Sequence, residues 1–255
     1  MMTIDQINAL SIKYNINHTV IYREYIQLVF LQKLYTETES SKIYFKGGTA
    51  IHLLFSAPRF SEDLDFTVEL SPERFSFIID KTLGRLLHEE SITWKEKQSV
   101  SGRRILLTAP PAMLKYPVFV NLDFSFRERV LTPERSSIQS DYPVSFSSYV
   151  WHLSKEEVLA EKIRAIMTRR KGRDLYDLWY LLSTGTRPID DHVKEKLNYY
   201  KLNDLTPKDI LKRVSSYPKE EFVVDLRPFV PERERERLDD FFDYIQDQIK
   251  KSLVS

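Results

Sequence analysis

The spacing of apolar and polar residues predicts three helices and a strand in the N-terminal part of the chain. Apolar residues recur at helical spacing over residues 3–13 and over residues 18–37, where they occupy two sides of the predicted helix. A short apolar run over residues 43–45 predicts a strand that ends at a Lys-Gly-Gly turn. Residues 49–55 then predict a helix with Thr49 as its N-cap.

Two later segments alternate between polar and apolar residues, which is typical of half-buried strands. In residues 63–70 the polar face comprises Asp63, Asp65, Thr67 and Glu69. In residues 117–126 the polar face comprises Phe119, Asn121, Asp123 and Ser125, with Phe119 as the apolar exception. If these two strands are neighbours, three carboxylates converge on one face of a sheet.

The region between these two segments predicts a helix and a hairpin. Residues 71–90 predict a helix that is capped by Ser71 and has proline at its first position. Residues 92–98 and 103–108 predict two strands, which are joined by a turn at residues 101–102. The N-terminal part of the chain therefore combines strands with helices.

The character of the chain changes after a segment rich in Ser, Pro and Thr at residues 128–150, which we interpret as irregular and as the domain boundary. Beyond it, Ser154 and Glu157 form a predicted capping box, and the following segments are all helical. These predicted helices start at residues 154 and 173 and then cover residues 188–201, 206–214 and 231–251. We predict an α+β fold with a mixed, helix-flanked sheet in residues 1–150 and a helical domain in residues 151–255.

Composition excludes several classes of protein. The 255 residues include no cysteine, so disulfides and thiolate zinc sites are excluded. The 38 basic and 37 acidic residues give a net charge of +1, so any nucleic-acid surface must arise from local segregation of charge. No signal peptide or membrane-spanning apolar stretch is evident in the sequence, which predicts a cytoplasmic protein.

The first candidate site combines the glycine pair with the alternating acids. Gly47 and Gly48 are two of only 6 glycines, and a glycine turn before a helix suits a phosphate group. Asp63 and Asp65 share a strand face with their Cα atoms roughly 7 Å apart, so they suit divalent cations. The alternatives are a plain tight turn and a solvated strand face.

The second candidate site lies in the helical part. Five basic residues lie close together in the sequence: Arg164, Arg169, Arg170, Lys171 and Arg173. They suit phosphate binding, or they complement a helix dipole. Asp174 and Asp177 share a helix face, and Arg173 with Asp177 is alternatively a structural ion pair.

Two motifs resemble the AbiEii/AbiGii toxin family, within the DNA polymerase β-like nucleotidyltransferase superfamily. The first is Gly47-Gly48-Thr49 followed by Arg59-Phe60-Ser61 and Asp63-Leu64-Asp65-Phe66. The second is Glu161-Lys162, Ala165 and Arg169 followed by Arg173-Asp174-Leu175-Tyr176-Asp177-Leu178. The resemblance covers about residues 40–185 and implies a nucleotidyltransferase fold.

The resemblance also implies a role for each motif residue. It implies that Asp63, Asp65 and Asp123 hold Mg²⁺ or Mn²⁺. The implied catalytic residues are Asp63, Asp65, Asp123, Lys162 and Asp174. The implied nucleotide-binding residues are Lys46, Gly47, Gly48, Thr49, Arg59, Ser61, Arg169, Arg173 and Asp177.

The implied activity is that of the toxin of a type IV toxin–antitoxin or phage-defence system. Nucleotides would pass from an NTP to an acceptor, the tRNA 3′ end, and translation and growth would stop. A cognate antitoxin would be the protein partner, and no membrane is involved. The alternatives are a protein or small-molecule acceptor, and a non-catalytic nucleotide- or RNA-binding module. Residues after about 185 carry no motif.

Overall fold

A computed structural model describes residues 1–99, 102–111, 114–203 and 205–254. The chain divides into two compact units, Met1–Leu153 and Ser154–Ser255. The predicted turn at residues 101–102 lies partly outside the described residues, because residue 101 does. Within the described residues, no helix combines the length and the apolar character that crossing a membrane requires.

The first unit contains a mixed β-sheet with flanking helices, which confirms the predicted α+β class. Its helices are α1 (Ile4–Tyr14), α2 (His18–Tyr35), α3 (Gly47–Phe55) and α4 (Pro72–Glu90). Its strands are β1 (Ile43–Lys46), β2 (Asp63–Val68), β3 (Thr93–Lys97), β4 (Gly102–Ala109), β5 (Val118–Ser125), β6 (Pro133–Ser136) and β7 (Val150–Leu153). The described strands form one sheet in the order β3-β4-β5-β2-β1-β7-β6. The pairs β2–β5 and β1–β7 are parallel, and the other neighbours are antiparallel.

The segment 128–150 is not wholly irregular, and the prediction was wrong there. It contains β6 and the start of β7, and β7 extends the sheet by pairing with β1 at Phe45 and His152. The Tyr35 hydroxyl lies against both strands, 2.7 Å from the carbonyl oxygen of Ile43 and 2.9 Å from that of Trp151. β6 and β7 have only four residues each, and β6 has no apolar alternation. The sequence pattern therefore did not predict these two strands.

The predicted helix caps are confirmed at two positions and wrong at a third. Ser71 accepts the backbone N–H of Arg74, and Ser154 accepts that of Glu157. Thr49 is not an N-cap, because α3 already begins at Gly47. The Thr49 hydroxyl instead donates to the carbonyl oxygen of Asp63, which ties the first turn of α3 to the start of β2.

Aromatic packing shows which face of the sheet is buried. Phe66 of β2 stacks on Phe124 of β5 with ring centroids 4.9 Å apart. Phe30 of α2 lies 6.0 Å from Phe66, and Phe75 of α4 lies 4.9 Å from Phe124. Because side chains alternate along a strand, the aspartates of β2 and β5 lie on the opposite face from this aromatic core.

A buried ion pair joins α2 to α3. His52 Nε2 lies 2.8 Å from Glu24 Oε2, and the other ring nitrogen lies against the carbonyl oxygen of Ala57. Burial alone would lower the pKa of His52. The charge of Glu24 and the hydrogen bond to it outweigh burial and raise that pKa above its usual value.

This pair makes stability depend on pH. Since the folded-state pKa of His52 is raised, its contribution is complete below the unfolded value of about 6.5 and is lost as pH rises through the folded value. The expected result is that His52→Gln lowers the melting temperature at pH 6 and that the gap from wild type narrows towards pH 9. Thermal melts across this range test it, and a gap that widens with pH would contradict the assignment.

The second unit consists of helices in its described part. These are α5 (Lys155–Thr168), α6 (Gly172–Ser183), α7 (Asp190–Asn198), α8 (Pro207–Ser215), α9 (Lys219–Leu226) and α10 (Leu238–Val254). The sequence pattern missed α9, and it merged the 3₁₀ turn Glu232–Arg237 with α10. A Cβ on Gly172 would lie 2.7 Å from the Cα of Phe222, so this glycine lets α6 and α9 pack closely.

Candidate active site

The acidic residues of the first unit lie on neighbouring strands. Asp65 of β2 is directly opposite Lys46 of β1 and Asp123 of β5. Asp63 is opposite Asn121 in the same way. The strand β5 therefore lies beside β2, as the convergence of the three aspartates requires, and the four polar residues of β2 and β5 share one face.

Asp63 and Asp123 each have a neighbour that the sequence analysis did not assign to the candidate site. The Asn121 amide donates to Asp63 Oδ1 at 2.8 Å. Arg104 of β4 contacts Asp123 Oδ2 at 2.7 Å through Nε and at 2.6 Å through Nη2. Asn121 was detectable, because it lies two residues before Asp123 on the same polar face. Arg104 was not, because its partner depends on the register of β4 against β5.

The glycine pair brings side chains against the start of α3. Gly47 has a φ of +80°, and a Cβ there would lie 2.3 Å from Asp65 Oδ2. A Cβ on Gly48 would lie 2.4 Å from Arg59 Nη2 and 3.2 Å from Ser61 Oγ. Both glycines are therefore required by close approach, and Asp65, Arg59 and Ser61 cluster at a helix N-terminus, which favours anions.

Buried contacts hold the basic residues around this turn. Arg59 is 2% exposed, and its Nη1 donates to the carbonyl oxygen of Phe60 at 2.9 Å. The Gln27 amide donates to the carbonyl oxygen of Ser61 at 3.2 Å, which fixes the loop between α3 and β2. Lys46 is buried and lies 3.5 Å from Glu128. These contacts hold Arg59 and Ser61 in place beside the glycine turn.

Substitution of Gly47 tests this arrangement. Gly47→Ala is expected to destabilise the fold by roughly 1–2 kcal/mol, because an L residue pays that cost at positive φ, and to displace the Asp65 carboxylate as well. Gly84→Ala is the matched control, since a Cβ on Gly84 in α4 meets no atom within 4 Å. Denaturant unfolding measures both, and equal effects would contradict the special role of Gly47.

The second cluster lies in the second unit and is centred on a buried lysine. Lys162 of α5 places its Nζ 2.8 Å from Asp174 Oδ1 and 2.7 Å from Asp177 Oδ2, both on α6. Arg169 adds a bond from Nε to Asp174 Oδ2 at 2.7 Å and one from Nη2 to Oδ1 at 3.0 Å. The predicted common face of Asp174 and Asp177 is confirmed by their shared lysine.

Opposing effects set the ionisation of Asp174. Its side chain is only 3% exposed, and this burial by itself would raise its pKa. The charges of Lys162 and Arg169, with their hydrogen bonds, outweigh burial and hold the pKa of Asp174 well below its usual range. The carboxylate therefore stays ionised at neutral pH and binds cations better than it accepts a proton.

The other basic residues of this region have different partners. Arg173 lies 3.5 Å from Asp225 of α9, its backbone N–H donates to the same carboxylate, and its guanidinium lies 4.6 Å from the Phe229 ring. Arg164 stacks 4.4 Å from the Tyr200 ring. The predicted basic patch is thus divided: Arg164 and Arg173 make structural contacts, whereas Arg169, Arg170 and Lys171 are exposed.

The residues of the first unit fit a metal only together with substrate oxygens. In the described part of the chain, no three His, Asp or Glu side chains are grouped closely enough to hold a metal ion. Asp63 and Asp65 suit a cation that takes its remaining ligands from phosphate and water. Asp123 would have to share its carboxylate with Arg104 in order to act as a third ligand.

The fold and these motifs define a class of protein. Residues 29–249 match the family described as nucleotidyl transferase AbiEii toxin of type IV toxin–antitoxin systems. The chain therefore belongs to the AbiEii family of nucleotidyltransferase toxins, which confirms the resemblance seen in the sequence.

Two solved structures are similar to this chain over most of its length. JHP933 from Helicobacter pylori is 19% identical with a TM-score of 0.57, and the match covers 92% of this chain and 95% of that one. MenT4, the nucleotidyltransferase toxin Rv2826c of Mycobacterium tuberculosis H37Rv, is 17% identical with a TM-score of 0.57, and the match covers 92% and 88%. At this identity the likeness establishes the fold alone. No curated protein sequence matches the chain significantly.

Proposed function

We propose that this chain transfers a nucleotide from an NTP to a hydroxyl at the tRNA 3′ end and that it depends on a divalent metal. The observation that carries the proposal is the placement of Asp65 against Gly47 at the start of α3, with Asp63 on the same strand face. An anion-binding helix start beside paired carboxylates suits a phosphate–cation complex.

The first unit supplies the phosphate and cation ligands in this proposal. Bound Mg²⁺ or Mn²⁺ would neutralise triphosphate charge and polarise the phosphate under attack. Asp63 and Asp65 would hold the cation, with Asp123 beside them. Backbone N–H groups at the start of α3, with Arg59 and Ser61 beside Gly48, would bind phosphate oxygens.

The proposed transfer step is a single displacement at the α-phosphorus of the NTP. The acceptor hydroxyl oxygen forms a bond to the α-phosphorus, the bond from that phosphorus to the α–β bridging oxygen breaks, and pyrophosphate leaves. Asp123 is the better candidate for the hydroxyl proton, because the depressed pKa of Asp174 makes it a weak base. Arg104 contacts Oδ2 of Asp123, so the proton would move to Oδ1.

The second unit has a positioning and charge-neutralising role in this proposal. Two carboxylates already neutralise Lys162, so binding of a phosphate by Lys162 would require an exchange of partners. Arg169 is far more exposed than Lys162, so it would be the better phosphate ligand within this cluster. Arg173 and Asp177 would hold α6 in place through Asp225 and Lys162.

The proposed biological role follows from the family. Modified tRNA would block translation and stop growth, in toxin–antitoxin control and in defence against phage, and a cognate antitoxin would restrain the protein in the cytoplasm. The test is incubation with each labelled NTP in turn, Mg²⁺ and total tRNA, beside an Asp65→Ala variant.

The destination of the label decides between the alternatives. Label on RNA that disappears in the variant supports the proposal. Label on protein alone would show that the acceptor is a protein and not tRNA. Tight NTP binding with no transfer would show that the chain is a non-catalytic binding module.

A further inference from the structure

The face of the sheet that carries the paired acids also carries basic and aromatic side chains, which lie on β3, β4 and β5. Residues opposite each other on neighbouring strands share a face, so the strand register defines rows across it. The first row comprises Lys97, Arg104, Asp123 and Asp65. The second row comprises Lys95, Leu106, Asn121 and Asp63. The third row comprises Thr93, Thr108 and Phe119.

The basic end of these rows lies on β3 and β4. Lys95, Lys97 and Arg104 are all exposed. Phe119, at the start of β5, is 48% exposed although it is a large apolar residue. Cations and an exposed aromatic ring on one surface are the pair of features that bind a nucleic-acid backbone and stack a base. We refer to Lys95, Lys97, Arg104 and Phe119 as the basic strip.

A direct chain of hydrogen bonds connects the basic strip to the acids. Lys97 Nζ donates to Asn121 Oδ1 at 2.8 Å, and the amide of Asn121 donates to Asp63 Oδ1 at 2.8 Å. Arg104 reaches Asp123 in the neighbouring row. A nucleic-acid strand that contacts the basic strip would thus have its end beside Asp63 and Asp123.

The charges of this face differ from those of the opposite face of the same hairpin. There, Arg103 pairs with Glu96 at 2.6 Å and with Asp80 at 3.1 Å, so its charge is balanced. Lys97 bonds to a neutral amide instead, and Lys95 pairs with no carboxylate within the described residues. Lysines on an edge strand also discourage edge pairing, but that role does not require them on the face of the acids.

We propose that the basic strip binds the single-stranded 3′ end of the acceptor RNA and leads its terminal hydroxyl to the acids. The identity of the acceptor rests on the proposed function. Lys95, Lys97 and Arg104 would contact successive phosphates, and Phe119 would stack on a base. These contacts are tolerant of sequence, because every base offers a π-face and every phosphate a charge.

Two sets of variants test this proposal by RNA binding. The probe is a fluorescein-labelled single-stranded RNA with a free 3′ hydroxyl, whose anisotropy is followed without NTP at several salt concentrations. Lys95→Glu combined with Lys97→Glu is expected to weaken binding by about tenfold or more and to make the salt slope shallower by about 1.4, from two lost phosphate contacts. Lys208→Glu combined with Lys212→Glu, on exposed positions of α8, is the charge-matched control.

The second set of variants changes Phe119. Phe119→Ala is expected to weaken RNA binding about fivefold or more, and Phe119→Trp is expected to restore it, because base stacking requires a ring. Equal binding of NTP by all variants, and unchanged melting temperatures, show that the effect is confined to RNA.

The outcomes separate this inference from the proposed function. Unchanged RNA binding in the Lys95 and Lys97 variant, or an equal loss in the α8 control, would overturn the inference. So would a loss of NTP affinity with RNA affinity retained, because the strip would then bind the triphosphate. Label transfer by the wild type stands apart: its absence, with strip-dependent RNA binding intact, contradicts the proposed function alone.

Discussion

Asp65→Asn is expected to reduce nucleotide transfer by on the order of 100- to 1,000-fold, which is typical when one preorganised charge-stabilising group is lost from an active site. The amide keeps the shape of the side chain, so it still fits against Gly47, but it removes the negative charge that would hold a cation. The melting temperature is expected to stay the same or rise, because one of several clustered carboxylates is neutralised.

The control for this variant is Asp5→Asn. Asp5 is exposed in the first turn of α1, and the same change of carboxylate to amide there is expected to leave transfer unchanged. Initial rates at saturating NTP and RNA measure the effect on kcat. Full activity of Asp65→Asn would show that Asp65 is only a polar residue on a strand face.

Lys162→Met is expected to lower the free energy of unfolding by about 3–5 kcal/mol, the usual cost of removing one partner from a buried ion pair. Lys162 lies between Asp174 and Asp177, whose side chains are 3% and 0% exposed. Methionine fills similar space without the charge, so two buried carboxylates lose a shared cation. Denaturant unfolding monitored by circular dichroism gives the value.

A second substitution separates the structural role from the catalytic one. Lys162→Met combined with Asp177→Asn is expected to recover a large part of the lost stability, because the buried charge is removed together with its partner. Transfer is expected to stay low in this double variant if Lys162 also serves the reaction. Recovery of both stability and transfer would restrict Lys162 to a structural role.

The sequence predicted those parts of the fold that repeat a pattern over many residues. The alternation in residues 63–70 and 117–126 placed β2 and β5 correctly, and it put Asp63, Asp65 and Asp123 on the face away from the aromatic core. The helix α2 was predicted for the same reason, since 18 residues carry its pattern. The two motifs identified the family without any tertiary information.

Such patterns could not predict the contacts between residues that are distant in the sequence. The pairing of Arg104 with Asp123 depends on how β4 aligns with β5, and the burial of Lys162 depends on how α6 packs on α5. Thr49 was taken for a helix cap because threonine favours that position, but Gly47 at positive φ lets the helix begin two residues earlier. Strand register and helix packing decided the first two cases, and the backbone conformation of Gly47 decided the third.

The position of Asp123 connects the candidate active site with the basic strip. Its carboxylate lies opposite Asp65 on one side and contacts Arg104 on the other. An RNA phosphate that attracts Arg104 would weaken this contact and free the carboxylate for a proton or a cation. Binding of the acceptor would then prepare the residue that the transfer step uses.

In the proposed reaction, the chain joins an NTP to RNA with loss of pyrophosphate. The most direct measurement counts pyrophosphate released and nucleotide incorporated in one reaction with tRNA, with Mg²⁺ and with chelator. We expect one pyrophosphate per nucleotide added, with neither product when the metal is chelated and with both products reduced by on the order of 100- to 1,000-fold when Asp65 is replaced by asparagine. Nucleotide incorporation that continues in chelator, or pyrophosphate release without incorporation into RNA, would contradict it.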